Sequence, residues 1–146
     1  MREDVKKIYD ENRDIFFGFV VPHDEPNQPR KFYVYEWFTV STDKVFYVGK
    51  GTGTRYKHIL KEAEKSPYYK PLKDEFGIDS RIIVDKLTNE ESEIMELYFI
   101  VQRLLENQPL LQSVIPWESG GLTERHFDEH IELMMSKGED FLKYFK

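Results

Sequence analysis

The chain has 146 residues, of which 40% are hydrophobic and 15% aromatic, which suits a single domain over residues 1–146 and excludes a second full domain. It contains no cysteine, which excludes disulfides and thiolate metal sites, and its formal net charge of −6 argues against a general nucleic-acid-binding protein. The N-terminus is charged and no apolar stretch approaches about eighteen residues, so we expect neither a signal peptide nor a membrane span, with the cytoplasm as the default location.

We expect residues 1–31 to form an N-terminal extension that precedes the main fold. Residues 3–12 have the apolar spacing of a short helix, and residues 15–21 are typical of a strand or a buried connection. The proline-rich loop that follows contains residues 23–25 (HDE), which are of metal-binding types. Because adjacent loop residues rarely converge on one ion, we expect these three side chains to face solvent.

Two stretches rich in aromatic and β-branched residues, 32–40 and 45–48, predict neighbouring strands. The polar residues 41–44 between them supply a turn, so the simplest arrangement is an antiparallel hairpin. Residues 81–84 predict a third strand.

The second strand continues into a glycine-spaced basic loop. Gly49, Gly51 and Gly53 stand at every second position, where they would let the backbone approach a ligand closely, and Lys50 and Arg55 add positive charge. The simplest ligand with these requirements is a phosphate.

A basic helix is predicted after this loop, capped by Thr54 and ending near Lys65. Four residues share one of its faces at helical spacing: Arg55, His58, Ile59 and Glu62. Residues 44–73 carry eight basic and two acidic residues, so this stretch has a net charge of +6 and the remainder of the chain −12. The basic segment is either a footprint for an anionic ligand or a solvated helix face.

Three further helices are predicted. The first spans residues 67–76 and ends at Gly77; the second follows a capping box at Thr88 and Glu91 and ends near residue 106. The second helix has this apolar stripe: Ile94, Leu97, Tyr98, Ile100, Val101, Leu104 and Leu105. Glu93 and Glu96 lie beside or within the stripe, and each needs a partner, which can be a divalent cation or a lysine.

The last helix, residues 123–137, belongs to a C-terminal helical extension over residues 122–146. Its apolar side chains are expected to face inward: Phe127, Ile131, Met134 and Met135. His126 and His130 have a metal-compatible spacing but no accompanying motif, so we expect them at the surface.

Residues 33–35 (YVY) and 47–49 (YVG), followed by Arg55 and His58, resemble the GIY-YIG nuclease family, and most closely its subgroup with YVGKG and a short loop to the arginine. The resemblance covers about residues 32–121, and Tyr33 stands where the family has glycine. It implies an α+β fold with a small, mainly antiparallel three-stranded sheet flanked by helices, and the activity of a metal-dependent DNA endonuclease.

The resemblance also implies roles for individual residues. Glu96, with Glu93 as the fallback, would hold one Mg²⁺ or Mn²⁺, and Arg55 would stabilise developing charge. Tyr47 would activate the water, with His58 as the second choice because a phenol with a pKa near 10 is an awkward base. Tyr35 would position the water or the phosphate, and Lys50 would assist in the reaction. Four further residues would contact the nucleic acid: Gly51, Gly53, Lys57 and Lys61. Gln112 stands about where the subgroup has an asparagine.

This chemistry sets a condition on the hairpin. In an antiparallel pair, residues that lie directly opposite each other point to the same face of the sheet, and their residue numbers add up to a constant. Tyr35 and Tyr47 therefore line one cleft only if that constant is even. A two- or four-residue loop gives an odd sum, so we predict a three- or five-residue loop or a bulge.

The competing hypothesis is a non-catalytic nucleic-acid or protein binding module with the same fold. A small-molecule enzyme is disfavoured because no cofactor motif is present. If the protein acts on DNA, the chain leaves no room for a separate targeting domain, so targeting would come from loops, from oligomerisation such as a homodimer, or from a partner protein.

Overall fold

A computed structural model of the protein describes residues 1–16, 27–117 and 120–146. The interpretation of residues 23–25 as solvent-facing, and most of that of residues 15–21, fall outside the described residues. The first helix, α1, spans Glu3–Glu11 and buries Val5 and Tyr9, as its apolar spacing predicts.

The sheet has three antiparallel strands: β1 at Phe32–Thr39, β2 at Val45–Gly51 and β3 at Ile78–Leu87. Their order is β2-β1-β3, so the aromatic strand β1 is central. With its flanking helices, this sheet confirms the predicted α+β fold. Strand β3 extends well beyond the predicted residues 81–84 at both ends.

The β1–β2 hairpin contains the predicted bulge. Next to the turn, Phe38 lies opposite Val45, and their residue numbers have an odd sum. Trp37 lies opposite Tyr47, and here the sum is even. The extra residue, Phe46, shifts the register, and the even sum then continues along the hairpin. Tyr47 is thereby brought to the same face of the sheet as the β1 residues Tyr35 and Trp37.

The remaining helices are α2 at Ile59–Glu62, α3 at Tyr69–Phe76, α4 at Asn89–Leu105, α5 at Glu124–Met135 and α6 at Glu139–Leu142. The chain ends with a 3₁₀ turn at Lys143–Phe145. Helix α3 ends at Gly77, which has φ 72°, and α4 starts with the predicted capping box of Thr88 and Glu91. None of the helices in the described part of the chain has the length and apolar character that a membrane crossing requires.

The predicted helix over residues 54–65 is wrong in form. A 3₁₀ turn at Arg55–His58 precedes the single α-turn of α2, and the Thr54 side chain makes no capping hydrogen bond. The indole Nε1 of Trp37 donates to the carbonyl of Tyr56 at 2.9 Å. This bond ties the 3₁₀ turn to the central strand of the sheet.

Helices cover both faces of the sheet. On one face, α1 and α4 pack with Val34 and Val48. On the other, α2, α3, α5 and α6 surround Tyr35 and Phe46. Within the predicted stripe of α4, Leu105 is wrong, since it is 38% exposed where the helix runs out beyond the sheet, and the buried Met95 was not predicted.

Helix α5 turns a different face inward from the one predicted. Phe127, Ile131 and Met135 are 42%, 45% and 75% exposed, whereas His130 and Leu133 are buried. The expected surface position of His130 is therefore wrong. Its Nε2 lies 3.2 Å from the carbonyl of Gln112, and this tertiary contact fixes the rotation of the helix.

Candidate active site

Three adjoining pockets share the side chain of Tyr47 and together form what we call the cleft. The Glu96 pocket, of about 320 Å³, is lined by Phe32, Tyr47, Lys50, Gly51, Thr52, Arg55 and Glu96. The Tyr69 pocket, of about 250 Å³, is lined by Tyr35, Trp37, Tyr47, Arg55, His58, Glu62 and Tyr69. The Gln112 pocket is lined by Tyr47, Val48, Tyr69, Glu96, Ile100, Leu111, Gln112, Ser113 and Val114.

The two phenols pack over Gly49. The rings of Tyr35 and Tyr47 are 6.1 Å apart, and the indole of Trp37 stacks on Tyr47 at 4.5 Å. A Cβ at Gly49 would lie 2.7 Å from the Tyr35 hydroxyl oxygen and 2.8 Å from Cε1 of Tyr47. The glycine therefore makes room for the two rings.

Gly51 makes room for Arg55 in the same way. A Cβ at Gly51 would lie 2.8 Å from Cδ of Arg55, so the arginine side chain lies across this glycine. Gly53 has φ 59° and open space around it, so it serves the backbone turn. We interpreted the glycine spacing as close approach to a phosphate, but at Gly49 and Gly51 the space is taken by the protein's own side chains.

Tyr33 anchors the turn that carries Arg55. Its hydroxyl donates to the carbonyl of Gly53 at 3.0 Å and accepts the N–H of Tyr56 at 3.1 Å. With the Trp37–Tyr56 bond, two side chains of β1 hold this turn against the sheet. Tyr33 therefore helps to position the turn from which the side chain of Arg55 extends.

The two candidate metal ligands differ in their partners. Lys50 donates from Nζ to Glu93 at 3.1 Å and to Asn89 at 2.9 Å. Glu96 lines the cleft, and among the described residues it has no ion pair. Burial raises the pKa of the Glu96 carboxyl, and the charge of Glu93 adds to this effect, against the opposing influence of Lys50 and Arg55. Of the two glutamates, Glu96 is the one that lines the cleft.

Neither phenol is a ready base. Burial raises the pKa of Tyr47, and the charge of Glu96 raises it further, against a weaker opposing effect of Arg55. Burial also raises the pKa of Tyr35, where the neighbouring Tyr47 adds to the increase. Tyr47 therefore needs additional positive charge to ionise near neutral pH.

The structure brings most of the predicted site residues together and leaves some outside. Seven line the cleft: Tyr35, Tyr47, Lys50, Gly51, Arg55, His58 and Glu96. Gly53, Lys57 and Lys61 do not line any of the three pockets. The two lysines are exposed on the neighbouring turn and helix, so they remain candidates for contacts to nucleic acid outside the cleft.

Gln112 binds the edge of the sheet. Its Oε1 accepts the N–H of Val48 at 2.8 Å, and its Nε2 donates to the carbonyl of Val48 at 3.2 Å. Leu111 extends this pairing, since its N–H donates to the carbonyl of Phe46 at 2.8 Å. Gln112 thus fixes β2 beside Glu96; a role in place of the family's asparagine stays a prediction.

Three residues of the Tyr69 pocket have no role predicted from the sequence. Trp37 could have been recognised, because it alternates with Tyr35 along β1 and must share its face. Glu62 was placed on the face of Arg55 but without a function. Tyr69 comes from α3, and local sequence carries no signal that this helix meets Tyr47.

The residues of the Glu96 pocket fit a magnesium or manganese ion. No group of three or more His, Asp or Glu in the described ranges could hold a metal by itself. Mg²⁺ commonly binds through one or two carboxylates, with waters and substrate phosphates completing its shell. A single carboxylate that faces a cleft and has no ion pair among the described residues matches that mode of binding.

In comparisons with known proteins, no protein-family model, no curated protein and no solved structure gave a significant match to the chain.

Proposed function

We propose that this protein is a metal-dependent DNA endonuclease of the GIY-YIG type. One observation carries the proposal: four functional groups from four separate elements face a single cleft. They are the phenols of Tyr35 and Tyr47 on β1 and β2, the guanidinium of Arg55 on the 3₁₀ turn and the carboxylate of Glu96 on α4.

Arg55 is the residue that would stabilise the charge of the transferring phosphoryl group. It lines both the Glu96 pocket and the Tyr69 pocket, so a phosphate bound in the first would lie beside its guanidinium. Preorganised donors of this kind are among the largest contributions to catalysis. Gly51 and the anchored turn hold the side chain in place, so little reorganisation is needed during the reaction.

Glu96 would hold the divalent ion, which would polarise the phosphate and supply positive charge beside Tyr47. Tyr47 lines the pocket of Glu96, whereas His58 lines only the neighbouring one, so Tyr47 is our first candidate for orienting and deprotonating the water. His58 is the second. Tyr35, beneath them, holds the Tyr47 ring and can bind the water or a phosphate oxygen.

The test is cleavage of supercoiled plasmid during a titration of Mg²⁺ and Mn²⁺. We expect metal-dependent cleavage, and we expect Glu96→Gln to reduce it by at least about 100-fold, since the ligand charge is lost with little change of shape. Glu106→Gln is the matched control, because this glutamate is exposed at the far end of the same helix. Cleavage that survives in Glu96→Gln would remove Glu96 from the mechanism.

The same assay addresses the competing hypothesis. Absence of cleavage on plasmid, nicked, branched and single-stranded DNA, with DNA binding retained, would identify a binding module. If the protein cleaves, nicked circles point to a single cutting site at a time, and linear product without a nicked intermediate points to a homodimer.

A further inference from the structure

The Tyr69 pocket has a composition that phosphate chemistry does not explain. It adjoins the Glu96 pocket through Tyr47 and Arg55, yet its other walls are aromatic, and it contains a carboxylate, Glu62. Among the described residues, the Glu62 carboxylate has neither an ion pair nor a hydrogen bond. The aromatic side chains and a carboxylate that can only accept hydrogen bonds suit a planar group with hydrogen-bond donors better than a phosphate.

We propose that the Tyr69 pocket binds one unpaired nucleobase next to the scissile phosphate, and that Glu62 selects a base with an amino group. The inference rests on the proposed function and specifies its substrate class: DNA with an unpaired nucleotide at the cut. Among pyrimidines, cytosine is then preferred to thymine.

The aromatic walls suit stacking. The rings that a base can reach are those of Tyr47 and Tyr69, which are half-buried, because the indole of Trp37 is buried. That indole lies against Tyr47, and Tyr69 stands edge-on to it, with ring centroids 5.9 Å apart and an interplanar angle of 84°. Bases stack on such side chains largely independently of their identity. A base in an intact duplex is already stacked and paired, so an unpaired base enters the pocket at the lowest cost.

Glu62 supplies selectivity. An ionised carboxylate only accepts hydrogen bonds, so the ligand must donate. Cytosine offers its exocyclic amino group to such an acceptor, whereas thymine presents a carbonyl at the corresponding position. Close by, the pKa of Tyr69 is raised to about 12 by burial, with Tyr47 and Glu62 adding to the rise, so its hydroxyl stays neutral and able to donate.

The test uses binding, so that it does not depend on cleavage. Glu96→Gln protein is mixed with duplexes that carry 2-aminopurine, a fluorescent base with an amino group, in either a paired or an unpaired position. We expect the emission to be quenched at the unpaired position only. In competition, duplexes with an unpaired cytosine should bind about tenfold more tightly than those with an unpaired thymine.

Four further substitutions, each in the Glu96→Gln background, show which side chains produce the effect. Glu62→Gln should abolish the preference for cytosine, whereas Glu64→Gln, an exposed glutamate two residues along the chain, should retain it. Tyr69→Ala should remove the quenching and Tyr69→Phe should keep it, because the phenylalanine retains the ring against Trp37 and Phe46.

Equal emission at paired and unpaired positions would overturn the base pocket, and a preference for cytosine that survives Glu62→Gln would overturn the role of Glu62. Quenching by a protein whose wild type never cleaves DNA would retain the base pocket and reject the nuclease. Cleavage by the wild type without quenching of 2-aminopurine would retain the nuclease and reject the base pocket.

Discussion

Gly49→Ala tests the packing on which the cleft depends. The added methyl group would meet the Tyr35 hydroxyl oxygen at 2.7 Å and Cε1 of Tyr47 at 2.8 Å, distances that no Cβ tolerates. Gly49 is not among the residues with positive φ, so alanine introduces no backbone strain there. The effect of the substitution is therefore confined to the two phenols.

The magnitude follows from how far the rings can move. Tyr35 is only 2% exposed, and Tyr47 is held by the indole of Trp37, so both rings must shift against packed neighbours. Overpacking of this kind costs about 1–3 kcal/mol of unfolding free energy. A displacement of about 1 Å at a reacting group can reduce the rate by roughly 100-fold. We expect both effects, with the larger consequence on plasmid cleavage.

Urea unfolding and the plasmid assay measure the two effects separately. Gly138→Ala is the control: Gly138 has φ 60° and ψ −134° and open space around it, so alanine strains the backbone by about 1–3 kcal/mol but displaces no side chain of the cleft. We expect the control to lose stability while its cleavage rate stays unchanged. A Gly49→Ala protein that unfolds and cleaves like the wild type would show that the rings do not pack over this glycine.

Three further predictions follow from the same contacts. Tyr33→Phe removes the hydroxyl that holds the turn of Arg55, and we expect a loss of about 1–2 kcal/mol in urea unfolding and roughly tenfold slower cleavage. Burial alone would raise the pKa of Glu91, but hydrogen bonds from backbone amides and the charge of Arg30 lower it overall. The stability that this carboxylate contributes is therefore lost as the pH falls through the lowered pKa. Glu91→Gln should be less stable than the wild type at pH 7, and the difference should shrink in acid. Burial lowers the pKa of His130, so as the pH falls the histidine is protonated in the unfolded chain before it is protonated in the folded protein. Acid therefore favours unfolding of the wild type. In thermal unfolding, His130→Gln should lose less stability between pH 7 and pH 5 than the wild type.

The hairpin could be predicted from the sequence because strand geometry leaves few choices. Side chains alternate with a period of two, so the requirement that Tyr35 and Tyr47 share a face translated into a parity of residue numbers. The bulge at Phe46 satisfies that parity. The capping box at Thr88 was equally predictable, since both hydrogen bonds lie within four residues of the chain.

The errors have a common physical origin in contacts between distant residues. The segment after the glycine loop has helical periodicity, but it forms a 3₁₀ turn that the indole of Trp37, far away in sequence, holds through the carbonyl of Tyr56. Helix α5 offers two possible inward faces, and the contact of His130 with the backbone of Gln112 decides against the more apolar one. Local propensity cannot anticipate either choice.

The sequence leaves two candidates for the metal ligand, Glu93 and Glu96, and the structure distinguishes them by their charged partners. Both lie near one stripe of α4, and the partner that distinguishes them, Lys50, comes from β2 and pairs with Glu93. The residues that line the cleft include two cations, Lys50 and Arg55, and two carboxylates, Glu62 and Glu96, so its formal charge is near zero. Such a cleft offers DNA little attraction of its own, and a divalent ion at Glu96 would make it positive. The ion that the proposed chemistry requires would therefore also make the cleft attractive to DNA.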